Sequence, residues 1–281
     1  MEASLCAGPP RALNVTGNRS QKWPLGLIVP VQDPTPFSPF SPEEWPESLG
    51  RVRSAGYSCV ELAITQPAHV QPSQLETLLG KTDLKWVSIT TGQAFWKEGL
   101  SLSSPDDKVR EQALARVKAH MDLASPFGAV VIIGLIRGKE GKKTLLRDAL
   151  RECADFRKDV RLALEPLNRY ETSLLHTVAE ALEFIEALNR KNVGILFDTF
   201  HANIEEASIA EAILFAKDRL FHVHVADSNR WIPGFGHLDF SKVWEALDKV
   251  NYKGSLVLEC LPKPDPLFLL RAGEVKKRVG L

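Results

Sequence analysis

The sequence predicts a single (β/α)8 barrel, an α/β fold in which eight parallel strands alternate with helices. Three observations predict it. Eight short β-branched runs recur along the 281 residues. Most are nearly continuous in hydrophobicity, as strands covered on both faces are. Segments with helical spacing separate them, and the last four runs each end near a carboxylate or an imidazole, where such a barrel builds its site.

Residues 1–23 read as a disordered tail, and the catalytic barrel is expected over 24–281. The opening stretch MEASLCAGPP lacks the apolar region of a signal peptide and carries Glu2 early. Asn14-Val-Thr and Asn18-Arg-Ser match glycosylation sequons, which mean nothing in a chain that is not secreted. The strands are expected at Leu25–Val31, Cys59–Ile64, Lys85–Thr90, Ala129–Leu135, Arg161–Leu167, Val193–Thr199, Leu220–Asp227 and Ser255–Cys260. A helix from Pro42 to Ala55 starts at a Ser41 cap and stops at Gly56. Ser104-Pro-Asp-Asp opens a long helix to about Ala124, with proline in its first turn and acids at its positive end. The stretch between Leu135 and Arg161 has room for one helix of modest length. Thr172 or Ser173 is expected to cap a helix through Asn189. Glu205–Lys217, Ser241–Val250 and about Asp265–Arg278 supply the rest.

Composition narrows the function. Hydrophobic content of 44% and charged content of 25% describe a globular chain with a large core. Lys+Arg and Asp+Glu balance at 35 each, which argues against a nucleic-acid partner. Cys6, Cys59, Cys153 and Cys260 form no CxxC pair, so structural thiols in a reducing, cytoplasmic setting are expected. No apolar run approaches the roughly 18–20 residues of a membrane span.

The strand ends carry the chemistry. Strand five ends in Glu165, strand six in Asp198, strand seven near His224 and strand eight in Glu259. Adjacent strands lie about 4.8 Å apart, so these four side chains can converge. Three carboxylates need a counter-charge, and a divalent cation supplies it. Three oxygens and one imidazole suit Mn²⁺, Co²⁺ or Mg²⁺ better than a closed tetrahedral zinc site. His222 shares a face with His224 and reads as a deeper, hydrogen-bonded interior histidine. His120 and His176 read as surface or satisfied groups. Glu61 in CVELAI is an interior acid, either structural or a polar contact in the barrel floor.

The motifs EPLNRYE, FDTFHANIEE, HVHVADSNRW and LEC resemble the sugar epimerases of the xylose-isomerase-like barrel superfamily, the D-tagatose/D-psicose 3-epimerase group. TGQA, GLSL, VIIGLIRG and ADSNRW are most similar to its 5-keto-L-gluconate epimerase branch. The resemblance covers about Leu25 to Pro262. It implies that Glu165, Asp198, His224 and Glu259 hold one metal ion, Mn²⁺ before Co²⁺ or Mg²⁺. It implies that Glu165 and Glu259 form the acid/base pair, and that Glu171, His201 and Arg230 hold the substrate. It also implies a homodimer or homotetramer. Two departures stand out: DSNR at Asp227–Arg230 replaces the group's ENDR, and Gly138–Val160 is shorter than in relatives.

The expected substrate is a small keto sugar or keto sugar acid, turned over as in conversion of 5-keto-L-gluconate to D-tagaturonate. A base on one face of the carbon beside the carbonyl and an acid on the other would invert it through a cis-enediolate. Neutral ketose 3-epimerisation, or hydroxypyruvate- or xylose-type isomerisation, is the alternative chemistry. Gln93, Trp96 and Trp231 are candidates for a sugar-facing wall or for packing. Arg137 in GLIRG is either a guanidinium fork for a substrate carboxylate or a rim ion pair. The abasic-site endonuclease of the same superfamily would need extra His and Glu ligands on early strands and a basic groove. The ends IVPV, LAIT, SITT and IIGL carry none. A non-catalytic sugar-binding protein would not need three carboxylates around a cation.

Overall fold

The structure is a computed structural model and describes residues 22–281. Residues 1–21 of the expected tail lie outside the described residues. Trp23 belongs to the barrel: its indole N–H donates to the Tyr252 carbonyl at 2.9 Å and its ring lies 6.1 Å from that of Trp244.

In chain order the regular elements are β1 (Leu25–Pro30), α1 (Trp45–Ser54), β2 (Cys59–Ala63), α2 (Pro72–Thr82), β3 (Lys85–Thr90), α3 (Gly92–Glu98), α4 (Asp107–Ala124), β4 (Val130–Ile133) and α5 (Lys143–Phe156). They continue with β5 (Leu162–Leu164), α6 (Val178–Leu188), β6 (Val193–Asp198), α7 (Thr199–Glu205), α8 (Ile209–Ala216), β7 (Leu220–Val225), α9 (Phe240–Lys249), β8 (Leu256–Leu258) and α10 (Ala272–Val279). The eight strands close in sequence order, each pair parallel, and β8 returns to β1.

The strand parity explains both the core and the site. Val60, Leu62, Ile195, Phe197, Val223, Leu256 and Leu258 face the helices and join the large apolar core. The alternate residues face the barrel axis, because side chains in a strand repeat every two. Ile28, Cys59, Ala63, Val87 and Val257 form one small axial cluster; Val130, Ile132, Ala163 and Leu196 form another. Two residues beyond Ala163, Leu196, His222 and Val257 come Glu165, Asp198, His224 and Glu259. The candidate ligands therefore sit one step above the axial apolar layer, at the C-terminal mouth. Gly26 has no room for a side chain, since a Cβ there would lie 2.7 Å from the Cys59 carbonyl oxygen.

Several expectations about elements are corrected. The helix expected from Thr172 or Ser173 starts only at Val178, where the Thr177 hydroxyl accepts from the Glu180 N–H. Residues 172–177 instead close a rim loop, with the Thr172 hydroxyl donating to the Gly138 carbonyl at 3.1 Å. Glu205–Lys217 is not one helix: α7 ends at Glu205, and α8 restarts at a Ser208 cap. Helices α2 and α3 are additional to the expected ones. The helix fitted between Leu135 and Arg161 is α5, fourteen residues long.

Candidate active site

The mouth of the barrel opens into a cavity of about 430 Å³. Glu165, Asp198, His224 and Glu259 each offer one ligand atom, and these atoms lie within 4.8 Å of one another. His224 Nδ1 is 3.5 Å from Glu259 Oε2 and 3.8 Å from Glu165 Oε1. Glu165 Oε1, Asp198 Oδ2, His224 Nδ1 and Glu259 Oε2 are all buried without a hydrogen-bond partner. Buried polar atoms are ordinarily bonded. Four such atoms converging from four strands fit one hard or borderline divalent cation.

In Asp198 and His224 the second polar atom is engaged elsewhere, which aims the free one at the cluster. Asp198 Oδ1 accepts from the Phe200 N–H at 2.7 Å as the cap of α7, which leaves Oδ2 for the cluster. His224 Nε2 meets Glu61 Oε2 at 3.0 Å, and His222 Nε2 meets the same oxygen at 3.1 Å. The Ser88 hydroxyl also donates to it. Glu61 is thus the polar contact the sequence allowed for, and it fixes the ring that faces the cluster. Burial opposes the Glu61 charge, but the two imidazoles overcome it and hold the carboxyl well below its usual range.

Burial also works on the cluster. It pushes Asp198 up to about 7, with help from the Glu259 charge, and raises Glu165 well above the usual carboxylate range for the same two reasons. Glu259 is drawn down to about 2, because His224 and Arg230 outweigh its burial. His224 is raised well above normal: burial disfavours its cation, and Glu61 and Glu259 overrule that. Two raised acids beside one lowered acid are what crowded carboxylates show.

His201 is set by Asn168. Its Nδ1 receives the Asn168 side-chain N–H at 2.8 Å and the backbone N–H at 3.3 Å. Two donors on Nδ1 make it an acceptor and leave the proton on Nε2. That Nε2 points at the cluster, 3.8 Å from both Glu165 Oε1 and Asp198 Oδ2, with no hydrogen-bond partner of its own. Burial, then the Arg230 charge, keep His201 neutral. Asn168 was not recognised in the sequence; its place three residues before Glu171, in a loop, gave no periodic signal.

Arg230 adopts φ 61°, at the turn following β7. Asp227 builds that turn by accepting from Ser228, Gly234 and Leu238 backbone N–H groups at 2.7, 2.6 and 3.2 Å. The Arg230 guanidinium bonds Glu171 Oε1 at 2.7 Å, lies 3.5 Å from Glu259 Oε2, and stacks over Phe37 and Phe200 at 4.3 and 4.8 Å. Phe37 belongs to the β1 loop, whose part in the cavity wall the sequence did not reveal. Gln93 and Trp96 line the cavity, as does Lys139. Trp231 is not among the lining residues.

Arg137 is fully buried and, like Asp198 and His224, is not among the residues that line the open cavity. All three of its guanidinium nitrogens lack a hydrogen-bond partner. Burial brings its pKa down to about 10, and the Glu165 and Glu171 charges hold it from falling further.

Fold and site together define a parallel eight-stranded barrel with a cluster of three carboxylates and one imidazole at its mouth that could hold a cation. The model for the xylose isomerase-like TIM barrel family matches residues 49–272, and the chain belongs to that family. It falls in the epimerase group, which makes it an enzyme of the isomerase class. The L-ribulose 3-epimerase of Methylomonas sp. is 30% identical over 228 residues, 76% of this chain and 77% of that one. The D-psicose 3-epimerase of Enterocloster bolteae is 42% identical over 123 residues, 43% of this chain and 41% of that protein's length. The 3-dehydro-D-guloside 4-epimerase of Escherichia coli is 40% identical over 125 residues, 44% of this chain and 48% of that one. The crystal structure of a D-allulose 3-epimerase from Methylomonas sp. superposes with a TM-score of 0.76 at 23% identity, over 91% of this chain and 98% of the other; it supports the fold. Among the described residues no helix is long and apolar enough to cross a membrane.

Proposed function

We propose that the protein is a divalent-metal-dependent epimerase of a keto sugar or keto sugar acid, of the kind that converts 5-keto-L-gluconate to D-tagaturonate. The observation that carries this reading is the set of four unpartnered ligand atoms of Glu165, Asp198, His224 and Glu259 at the cavity floor. A bound cation, Mn²⁺ or else Co²⁺ or Mg²⁺, would polarise the substrate carbonyl and stabilise negative charge on its oxygens.

The chain's own residues supply the rest. Glu165 leaves β5 and Glu259 leaves β8, three strands apart around the mouth, so the two carboxyls flank a substrate lying between them. One removes the proton from the carbon beside the carbonyl, a cis-enediolate forms, and the other returns a proton to the opposite face. In the reverse direction they exchange roles. His201 donates its Nε2–H to the developing oxyanion; it stays neutral, so it adds a directed dipole rather than a charge. Arg230, clamped by Glu171, lends positive charge on the same side, and Glu171 accepts from a sugar hydroxyl. Gln93 and Trp96 bound the sugar. The buried free thiols Cys59, Cys153 and Cys260 support a reducing, cytoplasmic setting.

The test is incubation of Mn²⁺-loaded protein with a panel of ketohexoses and keto-hexonates, followed by product chromatography. Formation of a single epimer at a carbon beside the carbonyl is expected. An aldose product would favour isomerisation, and no conversion on any sugar would refute the reading.

A further inference from the structure

The turn after β4 carries two cations. Arg137 is fully buried. Lys139, two residues on, lines the cavity and is exposed at its mouth. The other lysine or arginine in the lining is Arg230, and it is committed to Glu171 at 2.7 Å and Glu259 at 3.5 Å. Among the described residues Lys139 has no carboxylate within ion-pair distance; its Nζ instead lies 4.6 Å from the centre of the Trp96 ring.

The base of this side chain is fixed. The Lys139 carbonyl accepts from the Ser173 N–H at 2.8 Å, the Ser173 hydroxyl at 3.2 Å and the Thr172 hydroxyl at 3.1 Å. Those donors directly follow Glu171, so the lysine and the sugar-holding acid are tied to one another. Trp96, 62% exposed and also in the cavity lining, faces the ammonium with its ring. The cavity therefore has an acidic, cation-binding floor and a free cation at its rim.

We propose that Lys139 is a specificity-determining residue that binds the carboxylate of a keto sugar acid while the keto end lies at the cation site. The orientation rests on the epimerase reading. An ammonium offers three donors and a full charge to a carboxylate, whereas a sugar hydroxyl takes one ordinary bond. Because Lys139 is exposed, water weakens the pair, and the preference is expected to be about tenfold.

The test uses the metal-loaded protein and its Lys139→Gln, Lys139→Arg and Arg137→Gln variants. By calorimetry wild type should bind D-gluconate about tenfold tighter than D-glucitol. Lys139→Gln should remove the preference, and Lys139→Arg should keep it. With turnover, Lys139→Gln should lower the ratio of kcat/KM on a keto-hexonate to that on a neutral ketose about tenfold, chiefly through KM. Arg137→Gln should lower both and leave the ratio within about twofold. A wild type indifferent between gluconate and glucitol, or a Lys139→Gln variant that keeps the preference, would overturn the assignment. If no sugar is turned over, the epimerase reading fails, and the gluconate preference still decides Lys139.

Discussion

Replacing Glu61 by Gln should weaken metal binding without touching any of the four ligands. Glu61 Oε2 is the common acceptor for His222 Nε2 at 3.1 Å, His224 Nε2 at 3.0 Å and the Ser88 hydroxyl. An amide oxygen keeps the shape and loses the charge. Hydrogen bonds to a charged group contribute about 1.5–3 kcal/mol and neutral ones about 1. The two imidazole bonds together should therefore lose about 2 kcal/mol of folding stability, a fall in Tm of roughly 4–8 °C. The functional effect passes through His224: without the carboxylate, its Nδ1 is a poorer donor and its ring is less firmly aimed. Outer partners of metal-bound histidines are worth about 10- to 100-fold in affinity, or about 1.4–2.7 kcal/mol. Calorimetric titration with Mn²⁺ on wild type and Glu61→Gln reads this directly. A Kd unchanged within about twofold, alongside the lower Tm, would refute the idea that Glu61 sets His224.

Gly134→Ala would place a Cβ 2.8 Å from Glu165 Oε2. The carboxylate must swing aside, so metal affinity should fall about tenfold with a stability change near 1 kcal/mol or less; calorimetry and thermal melts separate the two. Asn168→Ala removes one of the two donors that fix the His201 tautomer, and kcat should drop about tenfold with metal affinity nearly constant. Metal affinity should rise with pH between 6 and 8. Asp198, at about 7, and Glu165, also raised, hold protons that a cation must displace, so acid competes with the metal and base favours it. Proton release on Mn²⁺ binding, measured in buffers of different ionisation enthalpy, should shrink as pH rises through that range.

The barrel was legible because its signals are local and repeated. β-Branched runs mark strands, and the ends of the last four runs place Glu165, Asp198, His224 and Glu259 at one rim without any structure. Element ends were less legible. Thr172 and Ser173 have the chemistry of helix caps, yet their hydroxyl and backbone groups bond the β4 turn across the rim, a long-range contact with no sequence period. Glu205–Lys217 is interrupted because the Ser208 hydroxyl starts a new helix inside an otherwise continuous pattern. At the site, Asn168 and Glu61 act through another side chain, and that pairing exists only once the barrel closes. The position of Arg137 after β4 was legible, but its full burial in the Leu135–Arg137 turn depends on long-range packing that leaves no local signal.

The central claim is proton transfer at the carbon beside a keto group, carried by Glu165 and Glu259 over a cation site. Incubation of the metal-loaded protein with its best ketose in D₂O, followed by NMR, measures it most directly. Deuterium should enter a single carbon beside the carbonyl, in substrate and epimer alike. Exchange should stop on chelation and return with Mn²⁺. Epimer formation without solvent deuterium at that carbon, or exchange unaffected by metal removal, would contradict the account.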